Sequence, residues 1–196
     1  MTSGFLGKEL ILPTEHQTKG RLLTALARAA IAAEFGASWP VLPRPAWLDE
    51  PAAAFVTLTL HGQLRGCIGS LEAHRSLYDD VTRNAHAAAF DDPRFPPLAA
   101  DELPDVRIEV SVLTAPQSLQ FSSEADALLR LRPGIDGVIV QYGRHRATFL
   151  PQVWRQLPEP REFMAHLKQK AGLPADLWDG DMRLAVYQVE TYQADA

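Results

Sequence analysis

The chain has 196 residues, 46% of them hydrophobic and 22% charged, with a formal net charge of −5 at pH 7. That balance excludes a disordered, collagen-like or disulfide-scaffold chain and fits one domain, or two small halves sharing a core. The acidic sum argues against general nucleic-acid affinity, which rests on neutralising phosphates. A single cysteine, Cys67, excludes an internal disulfide and a cysteine-built zinc site.

The first eight residues, Met1 to Lys8, lack a basic stretch followed by an apolar one. No apolar run approaches the roughly 18 residues of a membrane span. The expectation is a cytoplasmic protein with no membrane segment.

Residues 18–35 read as a helix, because Leu22, Leu26, Ala29, Ala30 and Ala33 recur at spacings of three and four, with Gly36 placed to end it. Ser38 to Pro51 follows, rich in proline, as an ordered loop whose Trp39 and Trp47 pack on the core. A ligand for a proline-reading module is the alternative. Phe55 to Leu60 alternates, His61-Gly62-Gln63 turns, and Leu64 to Gly69 returns as a hairpin. Ser76, with Asp79 three residues on, opens a helix from Leu77 to about Phe90. Its Leu77, Val81, Ala85 and Ala88 share one face, and His86 points away.

Asp91 to Pro97 is a loop, since its prolines deny a helix its donors. Val106 to Leu113 is a strand with Val106, Ile108, Val110 and Val112 on one side and Arg107, Glu109 and Ser111 on the other. Ser123 and Asp126 open a short helix that stops at Pro133-Gly134. Gly137 to Tyr142 and Arg146 to Phe149 form a second hairpin about Gly143-Arg144-His145. Glu162 to Ala171 is a helix closed by Gly172, and Arg183 to Thr191 is one final strand. Hairpins mixed with helices indicate an α+β fold with a mainly antiparallel sheet.

The most distinctive segment is Leu64-Arg-Gly-Cys-Ile-Gly-Ser70. Two glycines bracket the only thiol, and Arg65, two residues away on a strand, belongs on the same face. A nearby guanidinium stabilises a thiolate, the nucleophilic form. The plainer alternative is a small buried hydrophobe. Asp91, Asp92 and Arg94 would bind a cation or orient a water, or else form a helix-stop loop held by an Asp–Arg pair. Glu109 is a site candidate if its face is covered, and part of a wet sheet face if it is not. None of the six histidines has a metal-binding spacing, so no metal is expected. Arg144-His145-Arg146, with Arg130 and Arg132, is the densest basic region, read as a solvated turn rather than a nucleic-acid site. No phosphate loop, nucleophile elbow or dinucleotide fingerprint is present.

These residues resemble the AMMECR domain family, whose bacterial and archaeal members are called AmmeMemoRadiSam system protein A. The resemblance rests on Leu64 to Ser70, Ala87-Ala-Ala-Phe-Asp-Asp-Pro-Arg-Phe-Pro-Pro-Leu98, Glu109 to Leu113, Asp136-Gly-Val138, Phe149-Leu-Pro-Gln-Val153 and Lys170-Ala-Gly-Leu173, in that order. It implies an antiparallel α+β structure over about residues 20–192, with a smaller α/β subdomain packed intimately against the rest. It names no reaction and leaves the cofactor unknown. It suggests a pathway shared with radical-SAM and Memo-type proteins as partners, and it marks Arg65, Gly66, Cys67 and Gly69 as the suspected site. Two expectations follow. The first is a small-molecule site with Cys67, Arg65, Glu109 and Asp92 as catalytic groups and Gly66, Gly69, Ser70 and Arg94 holding substrate. The second is a non-catalytic adaptor whose motif is a binding face or packing corner.

Overall fold

The structure, a computed structural model, describes residues 14–193. The Met1 to Lys8 stretch read for a leader therefore lies outside the described residues. In chain order the elements are α1 (Glu15–Glu34), β1 (Ala53–Leu60), β2 (Gln63–Gly69), α2 (Leu77–Phe90), β3 (Val106–Leu113), β4 (Gln117–Leu119), α3 (Glu124–Arg130), β5 (Gly137–Tyr142), β6 (His145–Phe149), α4 (Pro160–Lys170), β7 (Arg183–Tyr187) and β8 (Val189–Gln193). Two antiparallel four-stranded sheets result, ordered β2-β1-β3-β8 and β4-β7-β5-β6. This is an α+β fold. No helix among the described residues is long and apolar enough to cross a membrane.

Helix α1 starts three residues before the expected position. Thr14 takes the Gln17 amide and Gln17 returns a bond to the Thr14 amide, a capping box that satisfies two otherwise orphaned donors. The β1–β2 connection is a two-residue turn with His61 at φ 50° and Gly62 at φ 79°, the left-handed pair that matches strand twist.

Helices α1 and α2 cover one face of the first sheet, burying Leu23, Leu26, Ile31, Val56, Leu58, Val81 and Val110. The alanine-rich face of α2 lets it approach very closely. A Cβ on Gly66 would stand 2.0 Å from the Ala88 carbonyl oxygen, and one on Gly69 would stand 2.2 Å from the Phe55 ring. Both glycines are therefore demanded by packing. A second core lies between the second sheet, α3 and α4, where Trp154 stacks 3.7 Å from Phe163 and its indole donates to the Asp136 carbonyl.

Two expectations are corrected here. Arg183 to Thr191 is two strands, because the chain leaves the second sheet at Tyr187 and enters the first at Val189. A second passage, from β3 to β4 through Thr114–Pro116, runs beside it. The Thr114 amide donates to the Gln188 carbonyl (2.9 Å), and the Gln188 amide donates to the Thr114 hydroxyl (2.8 Å). Hydrophobic alternation continues through Gln188, so periodicity alone reads one strand. Trp47 packs on the core as expected, whereas Trp39 is 45% exposed.

Gly66→Ala should lower unfolding free energy by about 3 kcal/mol or more, because the new methyl meets fixed backbone. Gly62→Ala meets nothing within 4 Å and should cost only its backbone strain, about 1 kcal/mol. Urea midpoints of the two variants check the order.

Candidate functional site

Strand β2 lies at a sheet edge, so its outward amides and carbonyls need partners. At Cys67 these come from side chains. The Cys67 amide donates to Asp92 Oδ2 (2.9 Å), and its carbonyl accepts from Arg94 Nη2 (3.1 Å). Asp92 in turn accepts from Arg94 Nε (2.9 Å), Nη2 (2.6 Å) and the Arg94 amide (3.1 Å). Its side chain is only 2% exposed. The Arg94 hydrogen bonds, helped by the Cys67 and Arg94 amides, outweigh burial and hold the Asp92 carboxyl well below the usual carboxylate range. Arg94 is pushed up, by Asp92 first and by Cys67 to a smaller degree.

Because the Cys67 backbone faces outward, its pairing with Thr57 is of the non-hydrogen-bonded kind, which brings side chains together. The Thr57 hydroxyl donates to Cys67 Sγ at 3.3 Å, and the thiol is half-buried. The same row continues across the sheet through Glu109 to Gln193, whose amide donates to Glu109. This face is opposite the one that α1 and α2 cover. Cys67 and Glu109 sit two strands apart, roughly 10 Å, with Thr57 between them.

The expected partnership of Arg65 with the thiol is not what its contacts make. Thr59 pairs with Leu64 and Leu58 with Gly66, so Arg65 is the extra residue of a bulge and the two-residue alternation fails there. Its guanidinium grips Glu102 through Nε (2.9 Å) and Nη2 (2.8 Å), and also donates to the Pro96 and Pro97 carbonyls. The pair pushes Arg65 up and the Glu102 carboxyl down. Arg65 thus clamps the 96–102 loop, and the guanidinium nearest Cys67 is that of Arg94.

Ser70 donates to Asp80 Oδ1 (2.7 Å). Asp80, fully buried, also accepts from the Ala54 amide (2.8 Å) and from Asn84 Nδ2 (3.0 Å). The group anchors the end of β2 to α2. Sequence reasoning missed Asp80 and Asn84; the available signal was two polar residues four apart beside Leu77 and Val81 on the buried face. Asp91 turns away from Cys67 to meet His86 Nδ1 at 3.5 Å. In the basic region, Arg130 pairs with Asp126, Arg132 with Asp136 and Arg146 with Glu72. Among the described residues no group of three or more histidine, cysteine or acidic side chains is arranged to hold a metal.

The chain is thus a two-sheet α+β protein with a thiol on an edge strand that an Asp-Pro-Arg segment closes with its side chains. The chain belongs to the AMMECR1 family, whose model matches residues 24–192. It is 40% identical over 182 residues to a protein of Methanothermobacter thermautotrophicus, covering 90% of this chain and 95% of the relative. It is 38% identical over 141 residues to protein MJ0810 of Methanocaldococcus jannaschii, covering 68% of each. The crystal structure of the uncharacterized protein PH0010 from Pyrococcus horikoshii is similar, with TM-score 0.70 and 34% identity over 89% of this chain and 91% of that one.

The depressed Asp92 carboxyl contributes stability that is present at neutral pH and is lost as pH falls below about 4, where the unfolded chain takes up the proton first. Asp92→Asn should cost roughly 1–3 kcal/mol at neutral pH. The gap to wild type should narrow on acidification, as read from urea unfolding across a pH series.

Proposed function

We propose that this chain carries a small-molecule site centred on Cys67, with the thiol as nucleophile or thiol donor. The observation that supports this reading best is the thiol's setting. It is partly open on the helix-free face of the first sheet, with the Thr57 hydroxyl donating to sulfur. The Arg94 guanidinium, held on the Cys67 carbonyl, places a positive charge beside the same residue. Asp92 serves as a positioning residue: a carboxylate held ionised by Arg94 is a poor proton donor, and its task is to fix the Cys67 backbone. Glu109, on the same row, is the acid–base candidate for a substrate long enough to span Thr57. Gly66 and Gly69 act through packing, and Ser70 acts through Asp80.

A second reading, the adaptor, draws support from Leu64 and Leu71, which flank the motif at 44% and 40% exposure. In it the tight Gly66 and Gly69 corner shapes a face for radical-SAM and Memo-type proteins. Capture of purified partners that survives Cys67→Ser would favour this reading over the first.

The thiol reading is tested by the rate at which a small neutral reagent alkylates Cys67 across pH. The folded protein should react near neutrality. Thr57→Val and Arg94→Ala should each slow it about tenfold, the worth of one charge-assisted hydrogen bond. A thiol that reacts only after denaturation would sink the proposal.

A further inference from the structure

Strand β8 pairs with β3 only from Glu109 to Leu113, so Val106 to Ile108 has no neighbour on that side among the described residues. Helix α1 passes beside this notch, and the two enclose an open groove of about 1500 Å³. Three arginines line it, Arg21, Arg28 and Arg107, and the last two carry the argument. Arg28, half-buried on α1, donates from Nη1 to the Leu103 carbonyl (2.7 Å) and from Nη2 to the Val106 carbonyl. Both acceptors are neutral, so they aim the guanidinium without cancelling its charge. Arg65 and Arg94, tied as firmly, each have a carboxylate. Arg107 enters from β3, exposed and with no ion pair among the described residues.

We infer that this groove is a binding site for the dianionic phosphate of a small molecule, held between Arg28 and Arg107. Charge matching carries the assignment. Two guanidiniums without carboxylates balance a dianion, and an uncompensated charge in a half-buried position is stabilised by one. Arg28 uses two of its five donors on carbonyls, which leaves donors for oxygen atoms. Burial pushes its pKa down, the direction an anion would reverse. The Thr59 hydroxyl lines the groove and suits a phosphate oxygen. Asp105 and Glu109 also line it. Glu109 disfavours negative charge on its side, so the phosphate lies at the arginines and a neutral or hydroxylated remainder extends toward Glu109. The site rests on arginines and not on the thiol, so Cys67→Ser should bind phosphate as wild type does.

The test follows arginine Nε–Hε resonances of the full chain by NMR at fixed ionic strength, titrating inorganic phosphate, phenyl phosphate and acetate separately. The Arg28 and Arg107 signals should move saturably with both phosphates and not with acetate. Arg107→Gln should weaken binding about tenfold. This exposed position tests the site without disturbing the Arg28 anchor. Tighter binding of phenyl phosphate supports an organic ester as the ligand, and equal binding supports free phosphate. The inference is overturned if Arg28 and Arg107 move no more than exposed Arg144, if acetate saturates equally, or if Arg107→Gln leaves affinity unchanged.

Discussion

The Asp92 carboxylate on the Cys67 amide is the contact from which the rest of the site takes its geometry. An edge strand presents a ladder of unmet donors and acceptors that would template another chain. Here the Asp92-Pro93-Arg94 segment supplies an acceptor and a donor to a single residue, so side chains stand in for a neighbouring strand. Holding the Cys67 backbone outward sets the phase of its pairing with β1. That phase brings the Thr57 hydroxyl to the sulfur and places Glu109 and Gln193 on the same line.

A second arginine secures the plug from behind. Arg65 closes on Glu102 and the Pro96 and Pro97 carbonyls, so the proline-rich loop that ends α2 is tied to β2 at both of its ends. Buried Asp80 adds a third tie on the far side of Cys67, through Ser70 and the Ala54 amide. Polar contacts therefore hold strand β2 at Cys67 and on either side of it, while the Cys67 side chain lies on the face opposite α1 and α2. The strand is held by charges at its rim and by alanine-to-glycine contact beneath, where no side chain fits.

Local patterning made most of the elements legible. Helix α2 runs from Leu77 to Phe90 as its cap and apolar spacing indicate, β3 spans Val106 to Leu113, and both hairpins turn at their glycines. What escaped was set by contacts distant in sequence. The outward turn of Arg65 depends on a bulge and on Glu102, 37 residues away. The break at Gln188 depends on Thr114, 74 residues away, and leaves no mark in the alternation. Of the candidate site, Cys67, Asp92 and Arg94 do converge, and Glu109 shares the row. Thr57, which touches the sulfur, was read only as a strand residue, because a threonine in an alternating run carries no signal of its own.

The strand change at Gln188 bears on how the chain is made. β7 sits inside the second sheet, between β4 and β5, and β8 completes an edge of the first. Both come from the last described stretch, Arg183 to Gln193. During synthesis from the N-terminus, β5 and β6 can pair as a hairpin, but β4 has no partner until that stretch leaves the ribosome. The second sheet gains its last strand, β7, only just before the first gains β8. The two halves must then close almost together, and a truncation within those residues would leave exposed edges on both.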